Sequence, residues 1–436
     1  MRRHNRKPIR NVILFATAVL CLGALIAYVS VTRKPVQIMP PETPEELAMR
    51  ASPDNAYFTL QEAAKLIPKG PEPLVGPDPD YPQLQSVYKP KRDSLGEALQ
   101  IKRPDDDPEF VKFIDACGPA IEKTREALRK PYYREPLEWS EFEVHNANWI
   151  RRENRCGPLS QLGAILVARG VQTQRIARDD AASATYLMDA LRLGATLMTD
   201  GASESHGTRV QLEALRRITS WAHDARSQEA LKQVQTQLRE FEPLPPVAAL
   251  EFEWRVLDNT VRFDLPNGAG PPRFVVSPLF SWGLASARRM NAQNRDEFRR
   301  AVSLEYPQFT KWRKEHSELL ESNIAMRMFD VSPINSMVYI ARRHVAHSTA
   351  FDGAVVVVAL ESYRRDHDEY PETLDPLVPK YLDQLPNDPF TGGPFTYRRE
   401  ADDYRFYSLG ENGKDDSGTG RKGDDRIVHA PPEPET

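Results

Sequence analysis

Residues 12–31, VILFATAVLCLGALIAYVSV, run for 20 positions without a charged side chain. No other feature constrains the fold of this chain as strongly. At about 1.5 Å rise per residue, a helix of that length crosses roughly 30 Å of hydrocarbon. The stretch therefore reads as a membrane-spanning helix. Arg2, Arg3, Arg6, Lys7 and Arg10 precede it, and Arg33 and Lys34 follow. The positive-inside rule then expects the N-terminus in the cytoplasm and the bulk of the chain outside. A cleaved signal peptide would have a shorter apolar region followed by a small-x-small pair, and none follows here. A lipoprotein site takes a small residue where Leu20 precedes Cys21. An uncleaved single-pass anchor is the expectation.

With 436 residues, the chain is too long for one compact core, so two soluble domains plus appendages are expected. Hydrophobic residues at 40% and charged residues at 28% describe globular protein rather than disorder. The net charge of −4 excludes a global field for nucleic acid, and no zinc-type cysteine pair occurs. Cys117 and Cys156 each open a Cys-Gly-Pro tripeptide, and Pro two residues on suits a helix start. Outside the cytoplasm a bridge between them is allowed and would contribute roughly 4 kcal/mol on the chain-entropy model. Two unpaired buried thiols are the alternative.

Read in order, residues 1–34 are a basic cytoplasmic tip and anchor, and residues 35–104 a Pro-rich linker with one helix over Glu45–Pro68. Residues 105–330 carry apolar positions three, four and seven apart, as in Phe110, Phe113, Ile114, Ile121 and Leu128. The same spacing recurs over Leu159–Val167, Ala182–Met198, Val210–Ala222, Ala230–Phe241 and Val247–Val261, with turns at Gly170, Asp200-Gly201 and Pro243–Pro246. This pattern predicts a stack of helical hairpins. Residues 263–280 are loop-like in Gly and Pro. Helical spacing returns over Asp296–Leu319 and Met337–Tyr363. The fold class expected is mainly α with a small C-terminal α+β module over residues 331–436.

That last module carries an ordered set of short motifs. They are Ala359-Leu-Glu-Ser-Tyr followed by Tyr370-Pro371, Leu377-Val-Pro-Lys-Tyr-Leu382, Leu385-Pro-Asn-Asp-Pro-Phe390, Gly393-Pro-Phe-Thr-Tyr397, Tyr407-Ser-Leu-Gly-Glu-Asn-Gly413, and Asp424-Asp425. Together they resemble the globular part of the major (G-type) pseudopilin of bacterial type II secretion, over about residues 350–428. The resemblance implies a helix end packed on a small antiparallel sheet, with calcium tying the last loop. Carried over by position, Leu409 and Lys422 would give backbone carbonyls, and Asp424 and Asp425 carboxylates. Asn412 stands where the family usually has a carboxylate; Asp415 or Asp416 could compensate. Calcium takes six to eight oxygens on a loop that can bend, and this stretch is rich in Asp and Gly. The bland alternative is a solvated acidic loop at a chain end. The sequence departs from the family near the anchor: Arg10-Asn11-Val12-Ile13-Leu14 shows neither a processing site nor the membrane-embedded Glu, and about 300 residues separate anchor from module. The module therefore reads as a reused end piece rather than a pilus subunit.

Other candidates are weaker. His344 and His347 share one helical face, where core histidines are commoner than metal ligands. Ser203-Glu-Ser-His206 reads as a polar turn entering a helix, and Asp366–Glu369 as a solvated helix end. There is no nucleophile elbow, His-Glu-x-x-His, phosphate loop or haem site. The functional expectation is a binding or scaffold protein of the bacterial inner membrane, with its bulk extracytoplasmic, meeting another envelope protein or an extracellular polymer. One alternative is a component or relative of a type II secretion or pilus-like machine. Another is an envelope hydrolase using His344, His347 or the 263–280 loop.

Overall fold

The computed structural model describes residues 37–68, 108–136, 147–201, 203–241, 246–259, 285–317, 333–418 and 424–431. The 12–31 stretch, the 263–280 loop and Lys422 lie outside the described residues. Among them the chain is mainly helical, with a three-stranded antiparallel sheet toward the C-terminal end.

The helix expected over Glu45–Pro68 is two, α1 (Pro44–Ala51) and α2 (Ala56–Lys65). Pro53 forces Ser52 into extended backbone, which ends α1. Thr43 and Glu46 form a capping box at the start of α1, and Asn55 caps α2 by accepting from the amide of Tyr57. Next come α3 (Pro108–Ala116) and α4 (Gly118–Leu128), which part at Cys117 as the Cys-Gly-Pro signal predicts. The second Cys-Gly-Pro differs. Cys156 lies inside α5 (Ala147–Gln172), with Pro158 in its interior. A mid-helix proline costs about 3 kcal/mol; burial of Leu159, Leu162, Ile165 and Leu166 just beyond it offsets that. Cys117 is a free, fully buried thiol. Burial pushes it up to about 11, so it is inert.

α6 (Asp180–Met198), α7 (Glu204–Asp224) and α8 (Gln228–Arg239) follow, with Asp179 and Ser227 capping α6 and α8. α9 (Val247–Asn259), α10 (Arg295–Val302) and α11 (Tyr306–Glu315) lead to α12 (Pro333–His367), which has 35 residues. α12 is long and apolar enough to cross a bilayer by length and composition, but 72% of its apolar window is buried inside the fold. It is the beam of the molecule. Its second half (Phe351, Ala354, Val356–Leu360) enters the main core, built from α2 to α8 and the sheet. Its first half (Met337, Ile340, Ala341, Val345) enters a second core with Ala249, Leu250 and Trp254 of α9, Phe298 of α10 and Phe309 of α11.

The residues read as linker take part in both. Ala56, Leu60 and Ala63 lie in the main core. Ile38 and Met39, in the stretch expected to be a free spacer, lie in the second. The C-terminal sheet is likewise built into the helical body: Phe395, Tyr404 and Phe406 join the main core and Phe390 the second. Strand β1 (Thr396–Glu400) pairs with β2 (Asp403–Ser408), which pairs with β3 (Arg426–His429) through a bulge at Phe406/Tyr407. Gly353 of α12 lets β3 come close, since a Cβ there would meet Val428 Cγ1 at 2.8 Å.

α6 crosses α7 at close range. A Cβ on Gly207 would lie 2.5 Å from the Gly194 carbonyl oxygen, and one on Gly194 2.7 Å from that of Gly207. Backbone cannot yield as a side-chain tip does. Gly207→Val is expected to lower unfolding stability by about 3 kcal/mol through overpacking. Gly118→Ala, where a Cβ meets nothing within 4 Å, should cost nothing. Paired urea unfolding curves check the contrast.

Candidate functional site

Among the described residues, two polar clusters are candidate sites. The first is the acidic loop that the sequence singles out. After β2, Leu409 donates its amide to Asp388 (3.2 Å). Asp388 is fully buried and also accepts from the Phe390 amide, the Thr391 hydroxyl and the Ser408 hydroxyl. It pins the start of the loop. Gly410, at φ +64°, then passes within reach of Asp424: a Cβ there would lie 2.0 Å from the Asp424 carbonyl oxygen. The Asn412 amide donates to Asp424 Oδ2 (2.9 Å), and its side chain donates to Asp416 Oδ2 (3.2 Å). Asp416 also accepts the Asp424 amide (3.0 Å). The structure therefore brings Asn412, Asp416 and Asp424 together. Asp425 is buried; its Oδ2 accepts from the Gly418 amide (2.8 Å), while Oδ1 has no hydrogen-bond partner among the described residues. Asp415 turns away to the Tyr407 hydroxyl (2.8 Å) and Arg398. The Tyr407 hydroxyl and the Ser417 amide hold its carboxyl below the usual range. Asp415 thus serves the sheet, and Asp416 is the acid beside Asn412.

The second place was not singled out in the sequence. It lies where the last turn of α7, the second half of α12 and the sheet meet. Glu361 of α12 is fully buried. Its Oε1 accepts from the Tyr370 hydroxyl (2.8 Å) and Tyr404 hydroxyl (3.4 Å) and lies 3.2 Å from Nδ1 of His223. Its Oε2 accepts from Nε of Arg364 (2.9 Å), whose other arm reaches the His223 carbonyl (3.0 Å). The Glu361 carboxylate holds His223 above its ordinary imidazole range, against the desolvation that opposes it. Burial, then Glu361, pushes the Tyr370 and Tyr404 hydroxyls well up, so both remain donors. Across the gap, Nε2 of His429 lies 2.8 Å from Oδ1 of Asp403. The His429 ring stacks on Tyr404 (4.3 Å between centroids) and sits 5.1 Å from the His223 ring. Asp403 opens β2 and His429 closes β3, so the hairpin register and the bulge aim them at α7. The short motifs read in the sequence did not point here. His223 and Glu361 are 138 positions apart and carry no local signal.

The paired imidazoles of α12 make no such site. His347 is fully buried, and burial with its neighbours His344 and Arg343 drops its pKa to about 3. His344 is lowered too, by burial against the pull of Glu204. They are neutral core histidines. Ser203 opens α7 and bonds to Glu135 and Tyr133, as part of a buried polar network.

No protein-family model, curated protein or solved structure matches this chain.

Proposed function

We propose that the chain is a single-pass protein of the bacterial inner membrane, anchored by residues 12–31, whose extracytoplasmic helical body is a scaffold for another envelope protein. Its pseudopilin-like end piece would be tied by calcium held between Leu409, Asn412, Lys422, Asp424 and Asp425. The observation that supports the ion is the Oδ1 of Asp425, a buried carboxylate oxygen without a donor among the described residues. An unsatisfied buried carboxylate oxygen is costly, and a hard cation is one partner that satisfies it. The scaffold reading rests on the way α12 locks both cores and the sheet into one body.

Melting the purified chain with calcium and with chelator tests the ion. At 100 times its dissociation constant, calcium should add about 2.7 kcal/mol to the unit holding the site. Asp424→Ala and Asp425→Ala should each remove that gain. Equal melts with and without the ion, in wild type and variants alike, would end the reading. Copurification with secretin or platform proteins would instead place the chain in a secretion machine.

A further inference from the structure

We propose that His223, Asp403 and His429 form a zinc site that clamps the C-terminal sheet onto the helical body. One ligand atom from each of the three lies within 4.8 Å of those of the other two. They come from three separate elements: the last turn of α7, the start of β2 and the end of β3. Two imidazoles and a carboxylate suit zinc, with ligand distances near 2.0–2.2 Å, and leave a position for water. Calcium takes oxygen and not imidazole, so this site is chemically distinct from the acidic loop.

Glu361 supplies what a bare cluster lacks. A metal-binding histidine usually gives its other ring nitrogen to a carboxylate, which fixes ring and tautomer. Here Nδ1 of His223 faces the buried Glu361, itself oriented by Tyr370, Tyr404 and Arg364, and Nε2 is left for the ion. Tyr404, stacked on His429, fixes the second ring. His223 is 36% exposed, Asp403 21% and His429 14%, so an ion can enter from solvent. The 2.8 Å hydrogen bond between His429 and Asp403 is the contact that zinc would replace, one ion bridging three groups where a proton bridges two. The rival outcome is that this pair is simply a surface hydrogen bond.

The test uses the full chain without a histidine tag, stripped with chelator and titrated with zinc against a chromogenic competitor. One zinc per chain is expected, at micromolar dissociation constant or tighter. His223→Asn and His429→Asn should each weaken it at least 100-fold, and Glu361→Gln by 10- to 100-fold. Asp424→Ala, in the acidic loop, should leave zinc affinity unchanged. Cobalt(II) in place of zinc reads the site in the unaltered chain: intense visible d–d bands are expected, and weak six-coordinate bands would overturn the proposal. So would absence of stoichiometric binding, or undiminished affinity in both histidine variants.

Discussion

Glu361→Leu should cost about 3–5 kcal/mol of unfolding stability. Leucine fits the volume but accepts no hydrogen bond. The variant leaves two buried tyrosine hydroxyls, Arg364 and His223 without their common acceptor. Removing one member of a buried charged network strands the others, and that is where the cost arises. Glu361→Gln keeps an acceptor for the tyrosines and should lose roughly half as much. Urea unfolding at constant slope measures both. A leucine variant within 1 kcal/mol of wild type would show that the carboxylate holds nothing together.

Acidification should remove the stability that His347 contributes, while the Asp352 carboxyl, raised by burial to about 7, shifts the balance the opposite way. The folded-state value of His347, about 3, lies below the ordinary 6.5, so at this group the unfolded chain binds one proton more between those limits. Its contribution is therefore full above about pH 6.5. It falls by about 1.4 kcal/mol per pH unit on the way down to about 3. Between pH 7 and pH 5 the loss from this group is about 2 kcal/mol. His347→Leu should remove that loss. At pH 7 it should also gain about 1 kcal/mol, because Nε2 of His347 has no hydrogen-bond partner among the described residues. Unfolding curves at the two pH values decide it: an unchanged pH dependence in the leucine variant refutes the assignment.

The helical body was legible in the sequence because amphipathic spacing is local. Ala182–Met198, Val210–Ala222, Ala230–Phe241 and Val247–Val261 fall on α6, α7, α8 and α9 to within a turn or two. Breaks set by single residues were less legible. Pro53 splits one expected helix, whereas Pro158 fails to start another because the flanking apolar face outweighs it. The acidic loop was visible as composition, yet composition did not separate Asp415, which bonds to Tyr407 and Arg398, from Asp416, which meets Asn412. The His223–Glu361–His429 junction was hidden for a different reason. Its members come from a helix end, a helix interior and a strand end, and only the docking of β3 at Gly353 brings them to one point.

The carboxylate of Asp258 on α9 accepts the amides of both Ile38 and Met39, at 2.9–3.0 Å. Six residues lie between Val31 and Ile38, and an extended chain covers at most about 25 Å from one to the other. With residues 12–31 seated in a bilayer, so short a leash gives the folded body almost no standoff. On the anchor proposed above, a partner would then meet the body close to the lipid surface.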